Sequence, residues 1–155
     1  MPDIGNAVFG EDLPPTAYDQ DWTVIANLTS TAYVASQTGV PEVGVNFTAP
    51  TSGRVLVCIG VGARNNAANT DRSIVTYILY EDSSSGAVVT AASAYSGITS
   101  CGHGSATDFR YGSGYMMEEG LTPGRNYYCQ VVYRTTAGSG TVDIASRDIT
   151  VMPLS

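Results

Sequence analysis

From residue 22 onward the apolar positions fall into short runs divided by turn-forming residues. Segments 22–28 and 31–35 are the first of strand length. Val43, Val45 and Phe47 then alternate with Gly44, Asn46 and Thr48, the period-two pattern of a half-buried strand. Segment 54–61 is apolar on both faces, which predicts a strand in the middle of a sheet. In 73–80, Ile74 and Ile78 share one face while Val75, Tyr77 and Leu79 share the other. Ser83 to Gly86 closes a hairpin into a strand over 87–94. Segments 108–111 and 115–118 read as short strands on either side of Gly112-Ser113-Gly114, and 126–134 and 141–152 as longer ones. In the last run Val142 and Ile144 have one parity, Ile149 and Val151 the other, so a β-bulge near 145–147 is expected.

About nine or ten strands at this spacing, without a helical period, predict an all-β fold: a single β-sandwich or jelly roll with Greek-key connections. The stretch from Leu121 through Pro123 and Gly124 to Tyr127 sharpens the expectation. Pro followed by Gly suits a type II turn. A tyrosine three residues after that glycine can return its hydroxyl to the turn backbone, as in the tyrosine corner of Greek-key sandwiches. These four residues mark a fold, not a chemistry.

The first 21 residues read differently. They hold five acids, no basic residue, three prolines and two glycines, with no sustained period. This segment is expected to be an extended N-terminal arm (1–21) ahead of a sandwich domain (22–155). Its apolar points Ile4, Val8, Phe9, Leu13 and Tyr18, with Trp22 just beyond, are too many for a spacer and predict a docking segment.

Composition narrows the function. The 155 residues include 17 Gly, 17 Thr and 15 Ser, only 14% charged residues, and seven Arg without Lys. A net charge of −7 leaves no basic stripe for nucleic acid. The longest apolar run, 55–63, is half of a membrane span, and no signal peptide is visible at the N-terminus. Three cysteines without Cys-x-x-Cys spacing suit free thiols in a protein made in a reducing cytoplasm. Asn27-Leu28-Thr29 and Asn46-Phe47-Thr48 are then accidental sequons.

Candidate chemistry is sparse. Cys101 and His103 lie close in sequence, but two ligands do not make a metal site, and His103 is the one histidine. The acid pairs Glu81-Asp82 and Glu118-Glu119 sit at predicted strand ends, where consecutive side chains point to opposite faces, so they read as solvated termini. No phosphate loop or nucleophile elbow occurs. The expectation is no enzyme, no cofactor and no metal. Tyr111 and Tyr115, flanking the glycine-rich turn, are candidates for surface recognition of a sugar or another chain.

The segment from Val45 to Val55 (Val-Asn-Phe-Thr-Ala-Pro-Thr-Ser-Gly-Arg-Val), together with Gly120-Leu121-Thr122-Pro123-Gly124, carries a resemblance. Gly138-Ser139-Gly140-Thr141, Arg147 and Ile149-Thr150-Val151 complete it. The chain resembles small β-sandwich virion proteins of actinobacterial tailed phages over residues 43–152. The resemblance implies no catalytic residues. It implies a structural role, in capsid decoration or at the tip of a minor tail protein. The acidic, apolar-studded arm ahead of one sandwich favours the first: a capsid decoration protein on the virion surface, partnered by the major capsid protein, docked through the arm and forming a homotrimer. The alternative is a minor tail or fibre protein whose sandwich recognises a host-surface glycan. Neither role calls for nucleic acid or a membrane as partner.

Overall fold

The computed structural model describes residues 13–65, 71–101 and 108–155, and these carry ten strands. They are β1 (Ala17–Asp21), β2 (Ile25–Leu28), β3 (Gly44–Thr48), β4 (Val55–Asn65), β5 (Arg72–Glu81), β6 (Val88–Thr90), β7 (Ile98–Cys101), β8 (Arg110–Glu118), β9 (Asn126–Thr135) and β10 (Val142–Pro153). The described residues contain no helix. One sheet has the order β1-β10-β4-β8, with β2 beside the other end of β10. Its partner has the order β3-β9-β5-β6, with β7 beside the first half of β5. All pairings are antiparallel. The chain crosses between sheets at most connections, so the strand order interleaves as in a jelly roll built from two Greek keys.

Alternation along each strand builds the core. Val55, Val57, Ile59 and Val61 of β4, with Ile149 and Val151 of β10, face Val75, Tyr77 and Leu79 of β5 and Cys129, Val131 and Tyr133 of β9. Burying each large apolar side chain contributes about 1.5–3 kcal/mol, which makes this shared inner face the main source of stability. The parity slip in the last strand is resolved where the sequence places it. Ile144 lies opposite Ala63 and Arg147 opposite Val61, with the register shifting between them. The bulge keeps both apolar halves of β10 inside, and it also turns Arg147 inward.

At Thr122 to Arg125 the turn closes with a 3.1 Å bond from the Arg125 amide to the Thr122 carbonyl, and Gly124 adopts φ 76°. The Tyr127 hydroxyl accepts from the Thr122 amide at 2.9 Å. Leu121 is buried beneath, and its amide donates to the Gly53 carbonyl. This corner therefore anchors the loop that leads into β4.

Three local expectations change. Residues 17–21, read as the end of an arm, are the edge strand β1, in register with β10 from Ala17↔Val151 to Asp21↔Arg147. The pattern was hidden because inward positions 19 and 21 are aspartates, held by specific donors instead of apolar packing. The Asp19 carboxylate accepts from the Gly44 amide at 2.9 Å, and Asp21 pairs with Arg147. Segment 31–35 contributes only the isolated bridge Val34↔Tyr133. Gly112-Ser113-Gly114 is not a turn but the centre of the continuous strand β8. Gly112 and Gly114 face inward, where a Cβ would lie 3.5 and 3.3 Å from the Ile98 side chain, so the missing side chains leave room for β7.

Candidate functional site

Because β8 is one strand, Tyr111 and Tyr115 project from the same side, about 13 Å apart along the chain at ~3.3 Å per residue. That side is the outer face of the β1-β10-β4-β8 sheet. Registers place its residues in rows. Tyr18, Thr150, Cys58 and Tyr115 form one row across the four strands, and Gln20, Asp148, Gly60 and Ser113 form the next. Tyr111 follows opposite Gly62, and Met117 lies opposite Leu56 and Met152. Tyr111 and Tyr115 are 70% and 76% exposed, and Tyr18 and Met117 are also largely open.

The floor between the tyrosines is bare backbone. A Cβ at Gly62 would meet the Tyr111 ring at 2.5 Å, so that ring leans across β4 and rests on the glycine with much of its surface still in solvent. A Cβ at Gly60 would collide with the carboxylate of Asp148, which leans over β4 from the other side. Burial raises the Asp148 pKa above the ordinary aspartate value. The Asp148 carboxylate has no hydrogen-bond or ion-pair partner among the described residues. The face thus combines two open aromatic rings with one half-buried acceptor lacking a donor.

The remaining candidates are arranged otherwise. Of the arm residues, Ile4, Val8 and Phe9 lie outside the described residues; Leu13 is half-buried and Tyr18 stands on the outer face just described. Leu121, Pro123, Gly124 and Tyr127 form the corner of the fold. Neither acid pair is simply a solvated terminus. Glu81 and Asp82 both pair with Arg125, at 2.8 and 3.3 Å. Glu118 turns inward and accepts from the Tyr77 hydroxyl and, at 2.7 Å, from Thr90. Its inward parity on β8 explains the difference, and burial, helped by that bond to Glu118, raises the Tyr77 phenol well above its ordinary range.

Cys129 is buried in the core, whereas Cys58 lies on the outer face of β4, half-buried; both thiols are free. They therefore do not face one another, although both lie in apolar runs. His103 lies outside the described residues, as does the side chain of Cys101. Among the described residues no group of three His, Cys, Asp or Glu converges as metal ligands would. A hollow of about 230 Å³ lined by Leu28, Thr29, Ser30, Val34, Ser36 and Gln37 carries no ionisable side chain.

Tyr111 and Tyr115 stand out in the sequence as aromatic residues beside glycines, whereas Asp148, Gly60 and Gly62 join their face only through strand register. The available signal was the small even-numbered set Cys58, Gly60 and Gly62 inside an otherwise bulky strand, which marks a shallow outer floor.

No protein family matches the sequence, and no curated protein matches it. Solved structures do match in fold. A chain of infectious bursal disease virus, Gx strain, is similar over 90% of this chain with TM-score 0.51 and 12% identity. The present chain spans about a third (32%) of that one's length. The VP2 subviral particle of the same virus matches over 90% of this chain and 32% of its own, at TM-score 0.49 and 10% identity. A carbohydrate binding module of Cellvibrio mixtus lichenase 5A, in complex with cellotriose, matches over 86% of this chain and 98% of its own, at TM-score 0.34 and 13% identity. Structural neighbours thus include viral capsid proteins and sugar-binding β-sandwich modules.

Proposed function

We propose that this chain is a non-enzymatic structural protein of a tailed-phage virion, a capsid decoration protein that binds the outer shell as a homotrimer and stabilises it. The observation that carries the reading is the way the N-terminal segment joins the sandwich. β1 is zipped to β10 through five register pairs, Asp19 binds the opposite sheet, and Asp21 binds the buried Arg147. Tension on residues 1–12 would therefore be borne by the core, as an anchoring arm requires. The segment ahead of β1 is acidic and carries apolar points, the chemistry to occupy a groove of a neighbouring major capsid protein or add to its sheet edge. The viral neighbour supports the setting, because the jelly roll is a common shell module. A surface rich in Thr, Ser and Gly can pack against identical copies without burying unpaired ions.

The test is abundance and attachment. In purified virions the chain should approach the major capsid protein in copy number, and removal of residues 1–12, which spares β1, should abolish attachment while thermal stability stays. A handful of copies per particle would favour the second reading, a minor tail or fibre protein, for which the exposed tyrosine face speaks. Absence from particles, or undiminished attachment of the truncated chain, would overturn the decoration reading.

A further inference from the structure

We infer that the outer face of the β1-β10-β4-β8 sheet is a binding platform for a neutral oligosaccharide, with Tyr111 and Tyr115 stacking on sugar rings and Asp148 accepting sugar hydroxyls between them. The inference stands whether the chain sits on a head or a tail.

Three observations choose this ligand class. Tyr111 rests on Gly62 and keeps 70% exposure, so the side of its ring away from the sheet is offered to a flat apolar partner. Pyranose rings present such a face through their C–H bonds, and tyrosine combines an apolar ring with a polar tip. Second, the two tyrosines are about 13 Å apart at ~3.3 Å per residue, longer than one sugar ring, which selects an oligosaccharide over a monosaccharide. Third, Asp148 leans over Gly60 into the row of Ser113, midway between the tyrosines. Sites of this kind join an apolar surface to a few placed polar groups, and a carboxylate accepts two hydroxyl donors readily.

The same acceptor disfavours the other occupants. A protein surface closing over Asp148 without a donor would leave a buried charge unpaired, at a cost of several kcal/mol. A second copy of this face would set Asp148 against another carboxylate or against tyrosine rings. An acidic glycan would meet Asp148 and a net charge of −7. Neutral sugars carry only hydroxyl donors and acceptors, and they meet none of these penalties.

The experiment uses the full chain against immobilised neutral hexasaccharides (β-1,4-glucan, galactan and mannan) with polygalacturonate as the acidic control. Binding to at least one neutral probe is expected, with none to polygalacturonate. Tyr111→Ala, Tyr115→Ala and Asp148→Asn should each weaken it at least about tenfold, and these exposed or half-exposed positions leave the core intact. Gly62→Val, which displaces the Tyr111 ring from its seat, should weaken it comparably without removing an aromatic group. Melting temperatures of all variants verify folding. Absence of binding to every neutral probe would overturn the inference, as would binding that the four substitutions leave unchanged. Loss of virion attachment in Tyr111→Ala without any sugar binding by the parent chain would likewise overturn it, assigning the face to a protein partner.

Discussion

Arg147, fully buried at the bulge of β10, donates to the carboxylate of Asp21, 126 residues away in sequence. The guanidinium also donates to the Thr23 carbonyl at 3.2 Å and stacks on the Tyr133 ring at 5.9 Å, while its Nε has no partner among the described residues. The bulge is what aims this cation inward, and β1 is what neutralises it. The acidic N-terminal stretch and the irregularity of the last strand are therefore two halves of one device.

Breaking that device from one side should be costly. Asp21→Ala leaves Arg147 buried without its counter-charge, and the expected loss is about 3–5 kcal/mol. For a chain of this size that corresponds to a melting temperature lower by roughly 6–20 °C, at about 2–4 °C per kcal/mol. The double variant Asp21→Ala, Arg147→Met should recover a large part of the loss, since an apolar replacement of a buried ion pair is often tolerated. Calorimetry on the three proteins checks it. A loss under about 1 kcal/mol for Asp21→Ala would remove the clamp from the account of stability.

The tyrosine corner gives a smaller and sharper expectation. Tyr127→Phe keeps the buried ring, which stacks on Phe47 with centroids 5.7 Å apart, and deletes only the acceptor for the Thr122 amide. The loss should be about 0.5–1.5 kcal/mol, the net contribution of one hydrogen bond, because exposed Thr122 can bind water instead. Gly124→Ala should cost a similar amount by another route, because φ 76° places a Cβ in the left-handed region, at about 1–2 kcal/mol. Denaturant midpoints that move for Gly124→Ala but not for Tyr127→Phe would show that the turn, and not the hydroxyl, holds the corner.

These cases explain what the sequence disclosed. Alternation in 43–48 was plain because that strand buries one apolar face, 73–80 was plain as an apolar run because β5 is buried on both faces along most of its length, and the bulge in β10 was plain because a parity slip has few other remedies. β1 was illegible because its inward positions are Asp19 and Asp21, whose partners Gly44 and Arg147 lie in remote strands. β8 is hidden in the sequence because Gly112 and Gly114 punctuate like a turn, whereas their smallness answers to Ile98 across the sandwich. The tyrosines of the outer face were visible as aromatic residues near glycines. Asp148 was invisible because its role depends on Gly60, a neighbour only through strand register.

Asp148 should leave a signature in the pH dependence of stability. Burial raises its folded pKa above the ordinary aspartate value of about 3.9. Folding therefore favours the protonated form. The site's relative stabilisation is fully present below the unfolded value and is lost as pH rises through the folded pKa. Asp148→Asn, neutral throughout, should melt higher than the parent at pH 7, and the difference should vanish on acidification below about pH 4. Thermal melts at closely spaced pH values check this. A difference that persists in acid would trace the effect to packing over Gly60 and not to charge.

The same carboxylate reaches the thiol beside it in the neighbouring strand. Burial raises the Cys58 pKa, and the charge of Asp148 raises it further; Cys129 is raised far more strongly, chiefly by complete burial. Only thiolate reacts with alkylating agents, and only where the reagent can enter. In native protein at pH 8, iodoacetamide should therefore modify Cys58 slowly and Cys129 only after denaturant is added, as peptide mapping would reveal. Asp148→Asn removes one of the two causes acting on Cys58 and should speed its modification while leaving Cys129 protected. Faster labelling of both cysteines in the variant would mean that the substitution loosens the sandwich. An unchanged rate at Cys58 would mean that the two groups are too well screened to sense one another across the outer face.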